Sequence, residues 1–169
     1  MRKLLWMAVP VALITGVLTA SAIPASAGTT QVSGTAEFGA GCSTAGIPEN
    51  FLDYPPLVMH GSLEGCWYTD VLNAKDNGTP SGIYLETGQE LFIGTVNGIA
   101  GSFTTTYKFE SKWDPSFSVP TAVEVKGRCQ HPIASGSGGL AGVTGHINFK
   151  DIVTNTPTTY TYAGHLSLP

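Results

Sequence analysis

The sequence predicts an all-β protein: a closed antiparallel β-barrel of about eight strands that follows a cleaved signal peptide. Three observations lead there. Apolar and polar residues alternate with a period of two in segment after segment, as they must when successive strand side chains point to opposite faces. Turn residues punctuate those segments, at Asp76-Asn77-Gly78, Asn97-Gly98, Asp114-Pro115 and Asn155-Thr156-Pro157. Glycines interrupt the strand-like segments themselves, at Gly61, Gly65, Gly88, Gly127, Gly145 and Gly164, where a barrel wall has to bend.

The N-terminus sets the compartment. Met1-Arg2-Lys3 is a short basic start, Leu4 to Leu18 is apolar, and Ala25-Ser26-Ala27 is a small-residue cleavage site. The apolar stretch is shorter than the ~20 residues that span a bilayer. Residues 1–27 therefore read as a signal peptide of bacterial type, and a secreted, extracellular chain starts at Gly28 with no membrane span. Without Arg2 and Lys3, six Lys or Arg stand against twelve Asp or Glu. That balance excludes nucleic acid as a partner, because phosphate binding needs clustered cations.

Residues 28–56 are expected to hold an N-terminal strand, at about 31–38, and a covering loop, and residues 57–169 the barrel domain. The loop, 39–56, carries Phe51, Leu52 and Tyr54, which need burial. Further strands are expected at 57–70, 82–94, 101–113, 122–133, 145–154 and 158–168. The clearest is GSFTTTYKFESKW, with Phe103, Thr105, Tyr107, Phe109, Ser111 and Trp113 on one face and Thr104, Thr106, Lys108, Glu110 and Lys112 on the other. A sandwich would also fit these strands, but a barrel leaves no edge exposed. The Asn77-Gly78-Thr79 triplet reads as a hairpin turn at least as readily as an N-glycosylation site.

Outside the cell, two of the three cysteines are expected to form a disulfide. Three pairings are open. The pair Cys66–Cys129 is preferred, because both lie in strand-like segments, which leaves Cys42 unpaired in its Gly-rich loop. There is no C-x-x-C and the histidines are far apart, so neither a metal site nor a cofactor is expected.

The stretch SGSGGLAGVTGHINFKD, residues 135–151, concentrates glycine directly before a strand. A phosphate-binding loop would need a helix after it. Instead Ile147, Phe149, Ile152 and Val153 follow. The stretch reads as a turn with positive φ angles that pins Leu140 into the core, after which Gly142 and Gly145 bend the chain into the next strand.

Gly138-Gly139-Leu140-Ala141-Gly142-Val143-Thr144-Gly145 followed by His146-Ile147-Asn148-Phe149 resembles a hairpin of the allene oxide cyclase and dirigent barrels. It departs from their pattern in its first glycines, where Ser137-Gly138-Gly139 lacks the trailing Thr-Gly. Gly65-Cys66-Trp67-Tyr68-Thr69, Gly127-Arg128-Cys129-Gln130-His131-Pro132 and Gly164-His165-Leu166 are similar to segments of bacterial members. The resemblance covers 57–169 and implies a mostly apolar cavity that works without a metal or redox cofactor. Plant allene oxide cyclases close a ring on a fatty-acid epoxide, dirigent proteins steer radical coupling, and some bacterial relatives cyclise polyketides. It also implies a homo-oligomer, since plant relatives form trimers and some bacterial ones dimers. None of the family's catalytic residues aligns onto this chain.

Candidate site residues follow from the pattern. Glu86 and His131 are the candidate catalytic residues, and Tyr84, Trp67 and Tyr107 the candidate ligand-binding ones. If Ile83 and Leu85 face the core, Tyr84 and Glu86 are simply solvated, which is the preferred arrangement. If the barrel holds a ligand, Tyr84 and Glu86 line it and Glu86 serves as a general acid or base. His131 shares a face with Val123, Val125 and Cys129 and is expected as a hydrogen-bonded core residue. Arg128 and Gln130 are expected outside with Lys126 and Glu124, and Trp67 and Tyr107 as packing. Three functions fit: a secreted barrel that binds a small apolar molecule, a cofactor-free cyclase or isomerase, and a solidly packed structural or inhibitory barrel that works through its loops. Cavity volume separates the third from the others, and inward polar residues separate the first two.

Overall fold

The computed structural model describes residues 28–169. The expected signal peptide, 1–27, lies outside the described residues. Eight antiparallel strands close into one barrel in sequence order: β1 (Thr29–Phe38), β2 (Leu57–Gly61), β3 (Leu63–Asp76), β4 (Ile83–Val96), β5 (Ile99–Asp114), β6 (Val123–Gly138), β7 (Thr144–Ile152) and β8 (Thr159–Ser167). Strand β1 closes the ring, pairing with β2 on one side and with β8 on the other, from Thr29 opposite Ser167 to Glu37 opposite Thr159. The barrel thus starts at residue 29 and not at 57; the N-terminal strand is part of its wall. The segment expected as one strand at 57–70 is two, because Gly61 sits at φ +107° and turns the chain. Among the described residues, no helix is long and apolar enough to cross a membrane.

Since each strand pairs with its sequence neighbour, the connections alternate between two ends. At one end they are tight. Ser62 alone separates β2 from β3, and Asn97-Gly98 joins β4 to β5 with φ angles of 48° and 83°, the positive values a two-residue hairpin requires. The glycine-rich turn lies at this end too. Gly138, Gly142 and Gly145 have positive φ, and Leu140 and Val143 fold back into the barrel as a plug. Leu63, Val96, Leu140, Ile147 and Leu166 are fully buried there and form a floor. Above it, Trp67 packs on Phe149 at 5.0 Å between ring centroids and on Phe103 at 5.7 Å. At the other end the connections are long: 39–56, 77–82, 115–122 and 153–158. Asp76 ties two of them together, accepting hydrogen bonds from Gly78 N, Ser118 N and the Ser116 hydroxyl. The Ser118 side chain first, and then the Gly78 amide, hold its carboxyl down at about 2.

Strand β5 has the faces its alternation predicts, with Phe103, Thr105, Tyr107 and Ser111 buried. Strand β4 does not. Phe92 and Val96 are core residues at even positions, so Tyr84, Glu86 and Glu90 also point inward, while Leu85 and Ile93 lie exposed on the outer wall. On β6, Val123 and Val125 are exposed although His131 and Cys129 are buried. The cause is a β-bulge: Lys112 pairs with Lys126 but Trp113 pairs with Glu124, so the extra residue Val125 reverses the faces and sends Glu124 inward.

The disulfide joins Cys42 to Cys66, and Cys129 is the free, buried cysteine, which corrects the Cys66–Cys129 pairing. Trp67 points into the barrel, so its neighbour Cys66 points out, whereas Cys129 points in. The two thiols lie on opposite faces of the wall. Cys66 meets instead the 39–56 loop, which runs along the outside of β3: the Tyr68 hydroxyl donates to Ser43 O, Asp53 N donates to Thr69 O, and Leu52 bridges Thr69.

The floor yields a prediction. Truncating the plug with Leu140→Ala should cost about 2–5 kcal/mol in denaturant unfolding, the range for a buried leucine. A loss below about 1 kcal/mol would mean that the glycine-rich turn only covers the barrel and does not seal it.

Candidate functional site

The open end leads into a cavity of about 420 Å³. Its walls are aromatic: Phe38, Phe109, Trp113, Phe117, Phe149 and Tyr160 all line it. Its polar groups are arranged in three clusters, each built by inward positions of neighbouring strands.

The first cluster centres on Glu86 of β4, which is 4% exposed. Three phenols donate to its carboxylate: Tyr107 to Oε1 at 2.6 Å, Tyr84 to Oε2 at 2.7 Å and Tyr54 to Oε2 at 2.6 Å. Tyr84 is two residues away on the same strand face, and Tyr107 stands on β5 directly opposite Gly88. A Cβ at Gly88 would lie 2.6 Å from the Tyr107 ring and closer still to Asp70 O, so the bare glycine lets the ring lie across β4 and reach Glu86. Tyr54 comes from the 39–56 loop and leans over the rim, its ring still part exposed. Burial, and then the hydrogen bond and charge of Glu86, push the Tyr84 phenol up to about 12 and raise Tyr54 and Tyr107 as well. All three are neutral donors at ordinary pH.

The second cluster lies deeper. His131 of β6, 1% exposed, bonds through Nε2 to Glu90 Oε2 at 2.8 Å and through Nδ1 to Ile147 O at 3.3 Å. Both ring nitrogens therefore face oxygen acceptors, and Thr69 and Thr105 hydroxyls add weaker bonds to Glu90. Phe149 and Trp67 pack on the imidazole at 4.6 Å and 5.3 Å between centroids. The Cys129 thiol beside this cluster is pushed up, by burial first and then by Glu90.

The third cluster is a carboxyl pair nearer the mouth, Glu124 of β6 and Asp151 of β7. Two carboxyls form a hydrogen bond only when one carries a proton. Burial, then the bond and charge of Asp151, push Glu124 up to about 8, and burial raises Asp151. Its own burial first, and then the charges of Asp151 and Glu124, raise the phenol of Tyr160, which stands opposite Asp151 on β8.

Of the candidates read from the sequence, Glu86, Tyr84, Tyr107 and His131 all line this cavity. Tyr84 and Glu86 take the inward arrangement and not the solvated one, because the upper barrel encloses a polar cavity where the preferred reading placed an apolar core. Trp67 does not line it; it is core beneath the cavity, with its indole N–H unpaired. Arg128 and Gln130 are on the outer wall, as expected. Four site residues were not foreseen: Tyr54, Glu90, Glu124 and Asp151. Glu90 and Asp151 carry a signal, since they fall in step with Glu86 and with Ile147 and Phe149. Glu124 is hidden by the bulge, and Tyr54 by its loop. Among the described residues, no group of three or more His, Cys, Asp or Glu is placed to hold a metal ion.

The carboxyl pair gives a pH prediction. Glu124 titrates at about 8 in the folded protein against 4.5 when free, so between those values the native form keeps a proton that the unfolded chain has lost. Stability then falls as pH rises across that window. We predict that the melting temperature drops from about pH 5 to about pH 8 and that Glu124→Gln flattens the drop. An equal slope in the variant would assign the effect elsewhere. No protein-family model matches this chain, and no curated protein or solved structure is significantly similar to it, so its function is read from the chemistry of the cavity.

Proposed function

We propose that this is a secreted barrel that binds a small, mainly apolar molecule through its open end. The observation that carries the reading is the shape of the interior: a sealed apolar floor beneath a cavity of about 420 Å³ with aromatic walls. Pockets of this size, largely apolar with a few fixed polar groups, are the usual form of small-molecule sites. A solidly packed barrel would have no such space. Secretion is part of the proposal, supported by the signal-like N-terminus and by the Cys42–Cys66 bridge, since disulfides persist in oxidising compartments.

Native mass spectrometry of the protein taken from culture under mild conditions tests this. The expected species starts at Gly28, is lighter by two hydrogens and carries an additional mass that leaves on heating. A bare chain in repeated preparations, unchanged after incubation with lipid and aromatic extracts, would overturn the binding reading.

A second reading, a cofactor-free cyclase or isomerase as the allene oxide cyclase resemblance implies, is favoured by the Glu86 cluster. A carboxylate and phenols facing one cavity can move a proton between two positions of one molecule, with no electron acceptor. Tyr54 sits on the loop, so its withdrawal would open one acceptor position on Glu86 Oε2 for that role, with Tyr84 still bonded to the same oxygen. Under this reading Glu86→Gln abolishes turnover of the bound molecule while leaving the fold intact. Turnover within about twofold of wild type would reduce the cluster to a binding element.

A further inference from the structure

Of the four carboxyls in the cavity, two are supplied with donors by the protein and two are not. Glu86 accepts three phenol hydrogen bonds, and Glu90 is paired with His131. Asp151 is 7% exposed and, among the described residues, its polar partner is Glu124, with no other side chain or amide donating to it. Glu124 Oε1 is sealed from solvent and likewise has no donor. The two oxygens converge. A Cβ placed on Gly127 would lie 2.1 Å from Asp151 Oδ2 and 2.6 Å from Glu124 Oε1, so a glycine here leaves both carboxyls room to meet at one point. No Lys or Arg lines the cavity to answer them. A buried carboxyl pair short of donors is costly unless something supplies them.

Resting on the binding reading, we propose that the cavity's ligand is an organic cation: a protonated amine on an apolar body, with its ammonium group between Glu124 and Asp151. An ammonium brings three donors and no acceptor, the complement of what this pair lacks. The rings of Tyr160, opposite Asp151, and Phe149 line the space near it, where an aromatic face would attract a cation, and Phe38 and Phe109 line the space for the apolar body. An anionic ligand would meet four carboxyls with one imidazole already engaged. In the empty site a proton shared by Glu124 and Asp151 takes the place of the ammonium, and binding expels it. Of the other titratable groups facing this space, Glu86, Glu90 and His131 are held in their own clusters with Cys129 beside them, and the phenols of Tyr54, Tyr84, Tyr107 and Tyr160 are raised and stay neutral.

Calorimetric titration of the purified protein at about pH 7 with three probes of one shape tests the assignment: 4-phenylbutylamine, 4-phenylbutanol and 4-phenylbutanoate. The amine should bind at least tenfold more tightly than the alcohol, with the acid weakest. Titration in two buffers of different ionisation heat should show release of up to one proton per amine bound. Asp151→Asn should collapse the amine-to-alcohol ratio to about twofold or less; Glu124→Gln provides the same readout if the first variant does not fold. Alcohol binding as tightly as amine, or both variants keeping a tenfold preference, overturns the cationic assignment and leaves the binding reading standing. Failure of all three probes to bind overturns both.

Discussion

A carboxylate held inside a protein has to be given hydrogen-bond donors or a proton, and the upper half of this barrel is organised by that demand. Inward positions on β4, β6 and β7 place four carboxyls in one enclosure, where an apolar barrel would place valine or leucine. Each is answered differently: Glu86 by three phenols from two strands and a loop, Glu90 by an imidazole and two threonine hydroxyls, Glu124 and Asp151 by each other. Removing a donor from such a site costs more than the bond itself, because the desolvated charge remains. The tyrosines are therefore structural as well as chemical. They hold the carboxyl group where it is, and in doing so they shape the wall of the cavity.

The two ends of the barrel divide the work. One-residue, two-residue and glycine-rich turns close the floor, and Leu140 and Val143 fill it. Long connections crown the mouth, and the polar interior lies on that side. Stability can be drawn from the apolar floor while the carboxyl-bearing upper cavity is kept open. The glycine-rich turn with which the sequence is most conspicuous belongs to the floor. It gives the fold its seal, and it takes no part in the chemistry.

Much of this architecture can be read from the chain, and the failures have physical causes. Strand alternation in GSFTTTYKFESKW gives the faces of β5 correctly, and the turn signals fall between strands. The faces of β4 were misjudged because apolarity was taken as the mark of the inside. Following Phe92 back in steps of two to Glu86 gives the right answer. The disulfide was misassigned for want of the same step: Trp67 inward forces Cys66 outward. Glu124 is a different matter. A bulge at Val125 changes which face every preceding residue occupies, and no local pattern announces it. Tyr54 reaches Glu86 only through a loop whose path depends on Cys42 finding Cys66. The closed barrel of about eight strands read from alternation and turns is the form found, but the way the buried carboxyls group is seen only in the three-dimensional arrangement.

The crosslink between Cys42 and Cys66 fixes one end of the 39–56 loop to the outer wall of β3, and β2 fixes the other at Leu57. Tyr54 is thus carried on a short arm anchored at both ends, reaching over the rim to Glu86. Were the cavity to take a guest as proposed, that arm would stand on its way in, and the bond from the Tyr54 phenol to Glu86 would have to open first. The bridge that anchors the loop outside the wall therefore also determines which phenol stands at the mouth of the cavity inside it.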